Sequence, residues 1–409
     1  SVASRGLGDV YKRQRVGSPT ELLTTSYGRL LIVKMAVVLA IVALAALRTP
    51  TAATLAGFLR RELVLMAVAV SASVVLSRTA PPVDPDAGAL ASPSPARIAL
   101  GFPLPPKTDT ANLLWAVWRP EVLWSALALS AITAYLRAVK RLRTRGDSWS
   151  RARTASWVAG WLVVVYATSG PLGVYGHLLF SAHMVQHLLL VMVVPILLVC
   201  SAPTTLALRA LPATSGGTGP REWLLSALHS RYLSFFGHPL IAFLNFIAGF
   251  FVLYFSGAFA WLMESHTGHV LMQAHFLATG YLFFWVLIGV DPSPRRVPHP
   301  AKVGLAILAT PFHALFSVII MQSDTVLARD YFQQFAAEFA TDSLRDQYTG
   351  AAFGWAFGEV PMVIVIAIAV TQWVRADARA AARFDRADDA QRARQESLSD
   401  ASRNGDGGD

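Results

Sequence analysis

Charge is scarce in this chain. Of its 409 residues only 15% are Asp, Glu, Lys or Arg, against 54% hydrophobic, and the mean hydropathy is +0.46. A soluble protein of this length needs more charge to cover its surface, which argues against an ordinary soluble enzyme. Cysteine is scarcer still. Cys200 stands alone, so no intramolecular disulfide and no Cys-x-x-Cys redox or metal motif can form. A copper or haem site must then be built from histidine, methionine or carboxylate. Histidine itself is missing before His177, and all ten lie from there onward. The opening segment SVASRGLGDVYKRQ (residues 1–14) lacks an apolar h-region and does not read as a signal peptide. It resembles the translation of an adapter sequence and reads as a non-native leader.

What the chain has in abundance is apolar runs of roughly 17–25 residues, long enough to cross a bilayer core of about 30 Å. In lipid such runs must be helices, because each backbone polar group has to find its partner within the segment. The expected fold is an all-α polytopic membrane protein with about nine transmembrane helices. They fall at about 29–47, 62–77, 121–139, 154–170, 180–206, 239–255, 269–290, 303–322 and 351–374. The Pro-, Ala- and Ser-rich stretch 81–113 reads as an extended extracytoplasmic linker dividing two helices from seven. The tail 376–409 is charged all round and reads as solvated and largely disordered.

The formal net charge of +10 sits in short loops and the tail. The loop KRLRTRGDSWSRAR carries six basic residues and one acid. The loop 323–349 instead carries Asp324, Asp330, Glu338, Asp342 and Asp346 against two arginines. This is positive-inside patterning. It places the N-terminus outside and the C-terminus inside, and makes the lipid bilayer, not nucleic acid, the charged partner.

Ionisable groups within a span are costly and suggest function. His183 and His187, in FSAHMVQHLLL, lie four apart, so both rings share one helix face about 5–6 Å apart. His275 lies roughly 9 Å inside its span and His313 roughly 14 Å inside the next, counted at about 1.5 Å per residue. Three spans thus carry histidine in one half of the membrane, and His183, His187, His275 and His313 are the candidate metal ligands. Glu359, in WAFGEVPMV, is a candidate partner orienting the His313 ring. Met184, Met272 and Met321 are auxiliary thioethers of the kind Cu(I) accepts, or ordinary packing residues. His266 and His269 sit at the expected water interface, as auxiliary or ion-entry residues or as ordinary interfacial histidines; His177, His229, His238 and His299 read as loop or helix-end residues.

From about 114 to 375 these segments resemble the CtaG-type assembly factors of caa-type cytochrome oxidases. The carriers are FSAHMVQHLLLVMVVPILLVCSAPTTLALRALP, HVLMQAHFLATGYLFFWVLIGVDP, PFHALFSVIIM and WAFGEVP, in that order. Residues 20–80, through TTSYGRLLIVKMAVV and LRRELVLMAVAVSASVVLSRTAPP, are similar to the last two helices of CopD copper-resistance proteins. Such a CopD–CtaG fusion looks actinobacterial. The resemblance implies seven helices in the second part and a multi-pass place in a bacterial plasma membrane. It further implies cytochrome c oxidase subunits as partners and copper as the ion inserted, with His183, His187, His275 and His313 on the family's histidine positions. No bond need be made or broken, so the chain is not expected to be an enzyme. The alternatives are a copper transporter, a haem-binding membrane redox protein and a metal-free scaffold.

Overall fold

The computed structural model describes residues 94–100, 115, 117–213, 219–295, 297–339 and 341–405, with a few scattered positions between 23 and 36. The expected leader (1–14) and the segment 20–80 expected to be CopD-like, with its two expected spans, fall, but for those positions, outside the described residues. Among the described residues every regular element is helical. In chain order they are α1 (Pro95–Leu100), α2 (Val122–Thr144), α3 (Arg151–Ser169), α4 (Pro171–Tyr175) and α5 (Phe180–Leu188). A π-helical turn (Leu189–Val193), α6 (Val194–Cys200) and α7 (Pro203–Ala210) continue from α5. Then come α8 (Pro220–Leu228), α9 (Arg231–Phe236), α10 (Pro239–Tyr254), α11 (Ala258–Met263), α12 (His266–Ile288), α13 (His299–Met321), α14 (Arg329–Phe339) and α15 (Ser343–Gly405).

Among the described residues, five helices are long and apolar enough to cross a membrane: α2, the composite Phe180–Ala210, α12, α13 and the first part of α15. Two of the seven spans expected for 114–375 are not among them. α10 has 16 residues, which at about 1.5 Å each is short of a bilayer core. α3 opens on Arg151 and Arg153. Both still pack into the bundle, α3 against α2 and α6, α10 against α12 and α13.

Small residues set the closest packing. Gly350, Gly354 and Gly358 recur every four residues on α15, and a Cβ at each would meet Ser181, Ser317 and the His313 ring respectively. That stripe lets α15 lie close on α5 and α13, the close approach that holds membrane helices together. On the other side of α5, Pro195 has no N–H to offer the Val191 carbonyl, and the helix widens into the π turn just before it. Gly280 of α12 fills the gap: its Cβ, were there one, would strike the Val191 oxygen.

Two carboxylates tie helix starts to distant elements. Asp346 of α15 accepts from the Phe180 N–H (2.7 Å) and Ser181 N–H (3.3 Å), and from the Ser181 hydroxyl. It thereby caps α5 from another helix, satisfying donors a helix start leaves orphaned. Asp291 does the same for α7, accepting from Thr204 N–H (3.0 Å), Thr205 N–H (2.7 Å) and the Thr205 hydroxyl (2.6 Å).

The structure differs from expectation at both flanks. Within the stretch read as extended linker, Pro95–Leu100 forms a short helix. Its Ala96 and Leu100 are buried in a cluster with Leu172, Leu178 and Phe335, and the Ala96 N–H donates to Glu338 Oε1 (3.1 Å). Tertiary burial outweighs the local composition. The charged tail is helical through Gly405 rather than disordered. It is rich in Ala and Arg, which favour helix, has no proline after Pro361, and carries an Arg392–Asp388 pair one turn apart (2.7 Å).

Candidate metal centre

Histidines of α5 and α12 come together inside the bundle. His183, His187 and His269 each offer a ring nitrogen, and these three atoms lie within 4.8 Å of one another. All three side chains are buried, at 0%, 1% and 1% exposure. Ring centroids stand 4.0 Å apart for His183–His187, 5.3 Å for His183–His269 and 6.0 Å for His187–His269. The i, i+4 spacing on α5 places the first two rings one above the other. His269 comes from the first turn of α12, whose start is fixed by Ser265 accepting from the Gly268 N–H.

The surroundings are apolar and aromatic. Phe276 lies 4.5 Å from His187 between ring centroids, and Phe259 lies 5.3 Å from His183. Phe180, Phe332 and Tyr254 complete the wall around His183. In such a wall a polar atom without a partner is costly. Nonetheless both nitrogens of His183, Nε2 of His187 and Nε2 of His269 are buried with no hydrogen bond within the protein. Convergent unpartnered imidazole nitrogens are the donor set a metal ion would satisfy.

The Nδ1 atoms of His187 and His269 have partners. His187 Nδ1 is 2.9 Å from the Tyr254 hydroxyl. The Trp124 indole N–H, a donor only, gives to Gln273 Oε1 at 2.8 Å. That turns the Gln273 amide nitrogen toward His269 Nδ1, a longer contact of 3.4 Å. An amide N–H donates, so this contact puts the His269 proton on Nε2 in the ring without an ion. Binding through Nε2 moves that proton and gives up the contact.

His177 lies between the cluster and the end of the bundle, in the loop after α4. Its Nδ1 donates to the Gly173 carbonyl (2.8 Å). Burial, partly offset by that bond and reinforced by nearby His266 and Arg119, pushes it down to about 4, so the ring is neutral at neutral pH. Glu121, at the start of α2, meets His266 Nε2 at 3.5 Å. Burial raises its pKa, but the bonds from His266 and the Trp124 N–H outweigh this and hold the carboxyl below its ordinary value.

The other sequence candidates stand apart from this cluster. His275 follows His269 by six residues, which at about 100° each turns it some 120° off the same face. It borders a groove of about 430 Å³ with Asn245, Gly249 and Leu271. His313 is buried on α13, against Gly358 and 5.5 Å from Phe250 between ring centroids. Its Nδ1 and Glu359 Oε1 are each buried without a hydrogen bond, so the expected His313–Glu359 pair does not close through those atoms. Met184 is buried against Gly354 of α15, Met272 is buried on α12 one turn from His269, and Met321 is half-buried at the end of α13. His269, expected at the water interface, is instead enclosed with the pair on α5. The short helix α11 packs on α12 and the ring of His177, in the loop after α4, stands against His269, and no single span's pattern reveals such a cover.

Fold and site together define a multi-pass helical membrane protein with a buried three-histidine cluster. Residues 133–376 match the cytochrome c oxidase caa3 assembly factor family (Caa3_CtaG), and the chain belongs to that family. It is 38% identical over 291 residues to uncharacterized proteins of Mycobacterium bovis and Mycobacterium tuberculosis, covering 71% of this chain and 44% of each relative. An uncharacterized protein of Mycobacterium leprae is 37% identical over the same length. The chain thus spans less than half the length of these relatives. No solved structure matches it significantly.

Proposed function

We propose that the protein binds a copper ion as cargo through His183, His187 and His269 and aids its insertion into a cytochrome c oxidase subunit. The observation that carries this is that three buried histidines bring ring nitrogens within 4.8 Å of one another in an apolar wall, and that each of the three rings has a buried nitrogen without a hydrogen bond. Neutral imidazoles accept Cu, and a three-nitrogen set with no carboxylate or thiolate leaves the ion exchangeable. The family supplies the oxidase as the destination. In this reading the bundle sits in a bacterial plasma membrane with the histidine end outside and α15 ending inside. The protein makes and breaks no covalent bond, and α3 and α10 serve as spans beside the five longer ones. Close ring packing counts against haem, since 4.0–6.0 Å between ring centroids leaves no slot for a porphyrin.

Metal analysis of the purified protein, loaded with Cu(I) and washed, tests this. About one copper per chain is expected, lost in His183→Ala/His187→Ala and in His269→Ala. Equal copper in all three proteins, or tight zinc with no copper, removes the proposal.

A further inference from the structure

The three-histidine centre connects to the bundle surface through a file of ligand groups. His177 stands edge-on to His269, 4.1 Å between centroids. On its other side it lies nearly parallel to His266, at 6.4 Å and 15°. His266 exposes 42% of its side chain, and its Nε2 is 3.5 Å from Glu121 Oε1, on a carboxylate 17% exposed. From solvent inward the order is Glu121 and His266, then His177, His269, His183 and His187. Consecutive rings are 6.4, 4.1, 5.3 and 4.0 Å apart.

Each member is suited to pass an ion on. Because a carbonyl can only accept, His177 must donate from Nδ1 to Gly173, which leaves the lone pair of the neutral ring on Nε2. Glu121 brings a negative charge to the first turn of α12, where the helix dipole would otherwise repel a cation. It is itself held in place by accepting from the Trp124 N–H at 2.8 Å. The outer pair is open to water and the inner three are enclosed, so the outer ligands exchange more readily.

We infer that Glu121, His266 and His177 form a second, weaker receiving site that takes a copper ion from the aqueous side and passes it by stepwise ligand exchange to His269. This rests on the three-histidine reading above. At each step one imidazole nitrogen replaces another, with no change in oxidation state.

The test follows Cu(I) uptake by the full chain in detergent, with the ion supplied as a coloured bicinchoninate complex. Loss of colour is timed by stopped flow, and competition at equilibrium gives the affinity. His266→Ala and Glu121→Gln, both at exposed or partly exposed positions, should load at least tenfold more slowly than wild type. The one copper held tightly at the three-histidine centre, and its affinity there, should be unchanged, while the weaker second site is lost. In His183→Ala/His187→Ala a weak copper site should persist, and adding His266→Ala should abolish it. Loading at the wild-type rate in the outer variants, while wild type itself loads, overturns this proposal alone. A fall in affinity that matches the fall in rate also overturns it, because it makes the outer residues part of one site. A wild-type protein that takes up no copper overturns the three-histidine reading and this inference together.

Discussion

The Tyr254 hydroxyl of α10 lies 2.9 Å from His187 Nδ1, which leaves the buried Nε2, with no hydrogen bond of its own, as the nitrogen of that ring open to an ion. A partner on the far nitrogen fixes tautomer and orientation, and losing it typically weakens a metal site by about 10–100-fold. Tyr254→Phe keeps the ring that packs against Phe259 and Phe316. It should therefore retain the fold and stoichiometry while weakening copper binding by about that factor. Competition titration against a chelator of known affinity measures this; unchanged affinity would remove Tyr254 from the site.

Gln273 holds His269 in the tautomer less suited to a ligand. Gln273→Glu would accept both the Trp124 indole N–H and the His269 Nδ1–H, placing the lone pair on Nε2. Copper affinity should rise in this variant and fall below it in Gln273→Leu, within the same 10–100-fold range. Chelator competition on the three proteins reads the order, and Leu binding as tightly as Glu would contradict it.

Proton competition should be visible in stability at His177. Its folded-state pKa is about 4 against an ordinary 6.5. Between those values the unfolded chain binds a proton that the folded chain does not, so this contribution is full above about pH 6.5 and is lost as pH falls toward 4. His177→Gln should have a shallower decline in melting temperature between pH 6.5 and 4 than wild type. Parallel curves would show that His177 is not held neutral.

Asp346 anchors the histidine helix. Asp346→Ala leaves the Phe180 and Ser181 N–H groups without their acceptor and should cost about 1–3 kcal/mol. A lowered melting temperature is expected, restored in part by Asp346→Asn, which keeps one acceptor oxygen. No change on Asp346→Ala would mean that water replaces the carboxylate freely.

Much of this was legible in the sequence, and what was not has definite causes. The pair His183 and His187 declares itself, since i, i+4 spacing alone stacks two rings on one helix face. The third member does not. His269 sits in the first turn of α12, where depth counted along the chain places it in water. Its enclosure comes from α11 and the His177 loop, which are tertiary contacts. His275 attracted attention by depth, yet six residues of helix turn it onto another face. Glu359 and His313 are neighbours by helix, since Gly358 rests on the His313 ring, yet their buried atoms are not bonded to one another. The composition of 81–113 hid α1, because Ala96 and Leu100 are ordered by what they pack against rather than by propensity.

X-ray absorption at the copper edge of the loaded protein tests the ligand set most directly. The expected spectrum has two or three nitrogen neighbours at about 2.0 Å with the outer-ring scattering of imidazole, losing one such neighbour in His269→Ala. A first shell of sulfur from the methionines, or a spectrum identical in His269→Ala, would contradict the three-histidine centre.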